Sequence, residues 1–570
     1  MKKIYKHLFV LLSLVMLSSC YDGIDPITYV DPGPDAGAPI ITIMKPTEGF
    51  EIQVPEPITS VNIEFKAEDD IELASVTVSI DGSEIASYDS FVDYRTAIKE
   101  LTYNNIATGD HVLSVSATDI SGNTSVSMVN FSKQPPYTPL FNGEIFYMNF
   151  DGSFTNLVTV TDATEVGSPG FTSNARVGTN AYAGAENSYL TFPADGMLGE
   201  EISISFWYKM DANSPKSGII TMAPYDDTAD PNNQNNINWG LRIFRDGAGA
   251  KDLRLLVGNG TANRNYGHTI ESDEWVYVTA TVEATNCRFY LNGELQQELA
   301  LNNPIDWAAT NLLSIMSGAP TFTFVGHYSD LNYMDELRIF NKSLSQEEIT
   351  LQYAKSSQIF NMSFNGSYTE SISKTDATEV GNPGFTAGKN GQSYLGSTDS
   401  YLTFPSTELA QGSEFSATFW LKIDPTDGRS GIINIAPATP AGPSDKPSGF
   451  GLIREGSATA QKFILLVGNG TNATWVNPGA PATINPTLNE WVHLGITISE
   501  TKASLYMNGA LAGESDLSGF NWNDVGDLVI MSGDPNFNGW NHKTERGQLD
   551  DLYLFNKALS QAEVQALMAN

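Results

Sequence analysis

Aromatic side chains set among asparagines are the residues of this chain best equipped for ligand chemistry. Trp239 follows an asparagine-rich run from Asp226 to Asn238, Tyr266 lies near Arg264, and Trp475 follows Asn472. Trp540 precedes Asn541 and His542. A flat ring can cover the apolar face of a pyranose while amide, imidazole or guanidinium groups fix its hydroxyls. These segments lack strand alternation, so their rings are candidates for presentation to a ligand. Trp207, Trp275, Trp420 and Trp491 instead fall in alternating strands at matching positions and are expected in cores. Trp307 and Trp522 fit either role.

Catalytic constellations are sparse. Asp335-Glu336 and Asp550-Asp551 are adjacent pairs, whose side chains leave a strand on opposite faces and cannot act together across one bond. Only six histidines occur, none in a His-Glu-x-x-His arrangement. No catalytic residue is assigned, and the expectation is a binding protein rather than an enzyme.

The elements that would position such rings begin after an export signal. Lys2, Lys3 and Lys6 precede an apolar run from Leu8 to Leu17, too short to span a bilayer as a mature helix. The ending Leu17-Ser18-Ser19-Cys20 resembles a bacterial lipobox, which implies lipid attachment at Cys20 and a signal peptide over residues 1–19. Residues 20–37 are rich in Pro, Gly and Asp and are expected to form a tether. Acidic residues soon after Cys20 resemble the surface-export signal of Bacteroidota lipoproteins. The expected location is therefore the outer membrane, facing the cell surface, with the membrane met through the lipid alone.

Composition narrows the ligands. Asp and Glu total 66 against 31 Lys and Arg, a formal charge of −35, which repels nucleic acid and anionic membrane faces. With Cys20 taken by lipid, Cys287 has no disulfide partner. It shares a strand face with Phe289 and Leu291 and is expected in a core.

Period-two alternation over Val61–Phe65, Val76–Ile80 and Val112–Ala117, with an Asp81-Gly82 hairpin turn, marks an all-β segment over residues 38–133. Its closing stretch, Gly109 to Asn123, resembles the last strands of bacterial immunoglobulin-like domains, often used as spacers. Residues 134–142 read as a linker.

The remainder is a duplication. Asp162-Ala-Thr-Glu-Val-Gly returns as Asp376-Ala-Thr-Glu-Val-Gly, an offset of 214, and Leu255-Leu-Val-Gly-Asn-Gly-Thr261 returns as Leu465-Leu-Val-Gly-Asn-Gly-Thr471. Each unit has many short strands with Asn-Gly turns at Asn292-Gly293 and Asn508-Gly509. Each ends on one helix with a capping box, Ser345 with Glu348 and Ser560 with Glu563.

The phrases Met334-Asp-Glu-Leu-Arg-Ile-Phe-Asn-Lys-Ser-Leu-Ser345 and Leu549-Asp-Asp-Leu-Tyr-Leu-Phe-Asn-Lys-Ala-Leu-Ser560 resemble the laminin G-like, concanavalin A-type lectin/glucanase superfamily. That resemblance implies two tandem jelly-roll β-sandwiches, at 143–355 and 356–570, in an all-β chain. Glucanases of this kind carry Glu-x-Asp-x-x-Glu on one strand, and no such run occurs here. Relatives often hold one calcium on strand-end carboxylates, which would place Asp151 and Asp335 in the first unit and Asn365 and Asp550 in the second. The alternative is that these four cap turns and satisfy buried backbone. Together these features lead one to expect a surface lipoprotein that captures glycan for an outer-membrane transporter complex. A transporter subunit contacting peptide or protein is the alternative, and a glycan hydrolase the remoter one.

Overall fold

A computed structural model describes residues 37–54, 56–134, 136–211, 215–226, 237–323, 326–437, 448–536 and 541–570. Cys20, the signal segment, nearly all of the tether, most of the asparagine-rich run before Trp239 and Trp540 itself lie outside the described residues. The regular structure of the described chain is nearly all β-strand, and the chain divides into two compact units, the first running to Thr138 and including Val158–Val160, the second made of Pro139–Leu157 and Thr161–Asn570.

The N-terminal unit is a two-sheet sandwich. Ile40–Lys45, Ile58–Glu68 and Thr96–Ala107 make one sheet. Phe50–Ile52, Thr124–Lys133, Gly109–Asp119, Leu73–Ile80 and Ser83–Tyr88 make the other, in that order. Alternation sends Val61, Ile63, Phe65 and Ala67 inward against Val76, Val78, Leu113 and Val115. The turn at Asp81 and Gly82 has φ of 51° and 75°, the doubly positive conformation that favours Asp-Gly in a tight hairpin.

The second unit holds two jelly-roll sandwiches of the same strand order. In the first, a seven-stranded sheet runs Thr164–Val166, Tyr189–Pro193, Thr310–Ile315, Ser217–Pro224, Leu241–Asp246, Asp252–Gly258, Asn263–Thr269. The facing sheet centres on Tyr333–Phe340, Ile202–Lys209, Trp275–Val282 and Asn286–Leu291. The second sandwich repeats that seven-strand order from Thr378–Val380 to Ala473–Val476 and adds an eighth strand, Thr483–Ile484, beside Ala460–Gly468; its facing sheet centres on Gln548–Phe555, Phe415–Lys422, Val492–Ile498 and Lys502–Met507. The duplicated sequence is therefore a duplicated topology.

Both faces of the central strand Ile202–Lys209 are covered. Ile204, Phe206 and Tyr208 face the core, and Trp207 lies beside Tyr277 and Tyr353, the latter on the first helix (Gln346–Lys355). Cys287 is buried in the same core, and burial pushes its thiol up to about 11, which leaves it protonated and inert at neutral pH.

The first helix also joins the two sandwiches. Ile349 packs on Tyr290, Phe340 and Leu344 of its own sandwich. Leu351 and Ala354 pack with Phe555, Leu559, Val564 and Leu567 of the second, the last two on the second helix (Gln561–Ala569). The Lys557 ammonium lies 3.5 Å from the centre of the Tyr353 ring. No linker intervenes, since the helix ends at Lys355 and the next strand starts at Gln358.

Candidate functional site

The seven-stranded sheet of the first sandwich and its eight-stranded counterpart in the second present an outward face of alternate residues. In the first sandwich that face is filled. Phe322 stacks on His327 at 4.7 Å and 7°, and His327 meets Phe244 edge-on at 4.8 Å. The buried Arg242 guanidinium sits 5.1 Å from Phe322 and donates from Nη1 to the Trp239 carbonyl at 2.8 Å. Burial lowers its pKa to about 9, so it remains a cation at neutral pH. Trp239 is half-buried at the sheet end, beside Asn238, whose Oδ1 accepts from Asn263 Nδ2 at 3.1 Å.

Arg264 and Tyr266 lie two apart on the edge strand and share a side. That side faces inward: Tyr266 packs against the core, 6.0 Å from Phe289, and its hydroxyl bonds the His268 ring at 3.3 Å. Tyr266 is half-buried with its ring packed against the core, which makes it a poor ligand platform. Arg264 is exposed at the rim.

In the second sandwich Trp475 pairs with Leu466 and packs over Ile453, Ile464 and Leu466, the outward counterparts of Phe244, Arg254 and Leu256. It is half-buried and flanked by the turn holding Asn469 and Asn472. Asn541 is exposed, with φ of 67°. His542 corrects the expectation for it: the side chain is 1% exposed, with Nε2 3.7 Å from the Glu455 carboxylate. The same pair occurs in the first sandwich as His327 and Asp246, at 3.5 Å. Both histidines are buried and are not presented to ligand.

A second duplicated constellation escaped the sequence reading. Asp330 accepts from Tyr208 Oη at 2.8 Å and Arg245 Nε at 3.3 Å, and from the Ser217 hydroxyl. Glu545 accepts from Ser430 Oγ at 2.5 Å and from Arg454 Nε. All seven groups are buried. A buried ion pair satisfied this way fixes register between loop and sheet, and breaking it leaves an uncompensated charge. Its signal lay in Ser217-Gly-Ile-Ile returning as Ser430-Gly-Ile-Ile, with an Arg at 245 and 454.

The four candidate calcium ligands lie at one loop in each sandwich. Asp335 Oδ2 accepts from the N–H groups of Arg176 and Val177 at 2.8 and 3.0 Å, and Asp151 Oδ1 from those of Thr179 and Asn180 at 2.6 and 3.0 Å. Asp550 accepts from Lys389 and Asn390 at 2.7 and 2.9 Å, and Asn365 from Gln392 at 2.7 Å. Burial, together with the Glu336 charge, raises Asp335 to about 8, and burial raises Asp550 to about 6. One oxygen of each carboxylate serves backbone N–H donors, the turn-capping role, while the buried Asp335 Oδ1 has no hydrogen-bond partner among the described residues. Among the described residues no group of three or more His, Cys, Asp or Glu is placed to hold a metal ion.

Between the sandwiches lies a cavity of about 470 Å³, walled in part by Phe141, Tyr147, Arg338, Lys355 and Tyr553. Its strongest charges are already paired. Arg338 lies 3.6 Å over the Tyr147 ring and bridges Glu144 at 2.5 Å and Glu336 at 3.0 Å.

The tryptophans expected as core divide. Trp207 is buried and Trp420 half-buried beneath the Lys389 ammonium, 4.3 Å from its ring. Trp275 and Trp491 are half-buried and line shallow pockets of about 270 and 250 Å³. Alternation alone did not reveal this, because Trp275 is the first residue of its strand and Trp491 directly precedes Val492–Ile498, beyond the core's reach. Trp307 and Trp522 are structural: each donates its indole N–H to a carbonyl, Gly199 at 2.8 Å and Gly412 at 3.1 Å.

This chain belongs to the concanavalin A-like lectin/glucanases superfamily, whose family model matches residues 184–350 and 395–565. No curated protein matches the chain. Among solved structures it is similar to domain 4 of AbnA, a GH43 extracellular arabinanase from Geobacillus stearothermophilus, in complex with arabinotriose. That match has 17% identity and a TM-score of 0.29, covering 37% of this chain and 98% of that one. It is similar to domains LG4-5 of the mouse laminin alpha1 chain at 12% identity and a TM-score of 0.23, covering 74% and 96%. It is also similar to the binding domain of botulinum neurotoxin DC in complex with SialylT, at 11% identity and a TM-score of 0.30, covering 72% and 94%. At these scores the likenesses say nothing about ligand.

Proposed function

We propose that this chain is a cell-surface lipoprotein that captures glycan and passes it to a partner outer-membrane transporter. The observation that carries this reading is a half-buried indole beside asparagine amides at the same end of the corresponding sheet in each sandwich, Trp239 in the first and Trp475 in the second. An indole held half in water offers a face to a pyranose, and neighbouring amides can both donate to and accept from hydroxyls. The lipobox at Cys20 and the acidic tether support surface anchoring, and the N-terminal sandwich supports an immunoglobulin-like spacer. The paucity of paired carboxylates on one strand face supports a binding role over hydrolysis.

The test is a glycan array probed with the chain with and without a calcium chelator. Glycan binding that falls with Trp475→Ala or Trp239→Ala, and is indifferent to chelation because Asp335 and Asp550 serve backbone N–H groups, is the expected result. A blank array would favour the transporter-subunit reading, in which peptide or protein is the ligand. Membrane release on Cys20→Ser tests the anchor.

A further inference from the structure

Trp275 opens its strand and Trp491 directly precedes the corresponding one, 216 positions apart, and Glu274 and Glu490 precede them. Facing each across the hairpin is an exposed asparagine, Asn292 or Asn508, with φ of 52° and 50°. Each asparagine is locked to the strand by two bonds. The Asn292 N–H donates to the Tyr277 carbonyl at 2.8 Å, and its Oδ1 accepts the Tyr277 N–H at 2.9 Å. Asn508 makes the same pair with His493, at 2.8 and 2.9 Å.

That geometry fixes the amide orientation, since Oδ1 must face the backbone N–H. Nδ2 is left outward, and no hydrogen bond among the described residues uses it. The indole N–H groups of Trp275 and Trp491 are likewise unengaged among the described residues, whereas Trp307 and Trp522 spend theirs on carbonyls. Each sandwich therefore holds, at one place, a half-exposed aromatic platform, a rigid amide donor and an exposed carboxylate acceptor. Those three groups are what a pyranose needs: an apolar face covered, and hydroxyls that both donate and accept.

We propose that Glu274, Trp275 and Asn292, and likewise Glu490, Trp491 and Asn508, form two matching subsites, each seating one pyranose of a neutral glycan. The proposal rests on the glycan-binding reading above and adds sites distinct from Trp239 and Trp475. Neutrality follows from the walls. Glu271, Glu274 and Glu294 all line the first pocket, and the whole chain carries −35, so uronate or sulfated glycans are repelled. The two subsites differ in one respect: the Lys422 ammonium lies 5.3 Å from the Trp491 ring centre and takes one of its faces.

The experiment titrates the full chain with cellohexaose, laminarihexaose, xylohexaose and mannohexaose by calorimetry, with heparin as the anionic control. For the hexaose that binds, Trp275→Ala with Trp491→Ala is expected to weaken affinity about tenfold or more. Glu274→Ala with Glu490→Ala, at exposed positions that do not threaten folding, should weaken it in the same direction, and heparin should not bind. Binding unchanged in both double variants but lost on Trp475→Ala overturns this inference and leaves the glycan reading standing. A wild-type chain that binds none of the four overturns both.

Discussion

His111 sits on the strand Gly109–Asp119 with Nδ1 2.7 Å from Asp81 and Nε2 2.8 Å from the Ala107 carbonyl. Burial opposes its charge, but the Asp81 and Ala107 hydrogen bonds outweigh that and raise its pKa, while Asp81 is lowered by the same contact despite its own burial. For the imidazole, the stabilisation is fully present below its unfolded value near 6.5 and is lost as pH rises through the raised folded value. For Asp81 it is present above its unfolded value near 3.9 and lost as pH falls. The N-terminal sandwich should therefore be most stable in mildly acid solution, between those limits. Urea midpoints across pH 3 to 9 are expected to peak there and to flatten in His111→Phe.

A second residue-scale prediction concerns Gly178 and Gly391, both at φ of 67°, where an added Cβ would fall 2.2 Å from Asp151 Oδ2 and 2.1 Å from Asn365 Oδ1. Alanine at either is expected to cost about 1–3 kcal/mol, read from denaturant midpoints, through positive-φ strain and the collision. A glycine's φ cannot be read from its letter, so the loop that binds the four candidate calcium residues could be named in sequence but not understood. The same limit applied to His542: its type suited a ligand contact, while the Glu455 carboxylate it lies near in the interior is 87 positions away.

At the scale of elements, the sequence was far more legible. Both terminal helices announce themselves by Ser-x-x-Glu, and both boxes close: Glu348 Oε2 accepts from the Ser345 N–H at 3.0 Å, and Glu563 Oε2 from the Ser560 N–H at 2.8 Å. Strands were readable where one face is buried, because alternation then follows directly from the pleat. The edges misled. Tyr266 on an edge strand read as loop yet turns inward, and Trp275, at a strand's start, read as core yet reaches solvent. Periodicity reports which residues share a face but not which face the next layer covers. Ser560→Ala removes an acceptor for the Glu563 N–H in a helix that also seats Val564 and Leu567 against Leu559. It is expected to destabilise the second sandwich by about 1 kcal/mol, seen as a lowered calorimetric midpoint.

Two sandwiches joined without a linker behave as one body only if their shared surface is strong enough. Here the first helix contributes to both: Ile349 belongs to the first sandwich, while Leu351 and Ala354 belong to a cluster whose other members come from the second. Tyr353 stacks on Tyr277 at 5.6 Å and carries the Lys557 ammonium on its ring, and Lys557 in turn pairs with Glu563. The Asn556 N–H donates to the Ser357 carbonyl at 3.1 Å, and Arg176 reaches Asn556 at 3.4 Å. Apolar contact, cation–π contact and backbone pairing thus converge on one turn of helix, so neither sandwich can unfold without exposing the other's surface. Calorimetry of the full chain is expected to show the two sandwiches melting in a single transition, with unit ratio of calorimetric to van't Hoff enthalpy for that component. Leu351→Gln with Lys557→Ala removes contacts between the sandwiches while leaving Ile349 and Tyr277 seated, and should split the transition into two. A wild-type trace already resolved into two sandwich transitions would show that the shared helix does not couple them, and that any ligand spanning both must assemble its own geometry.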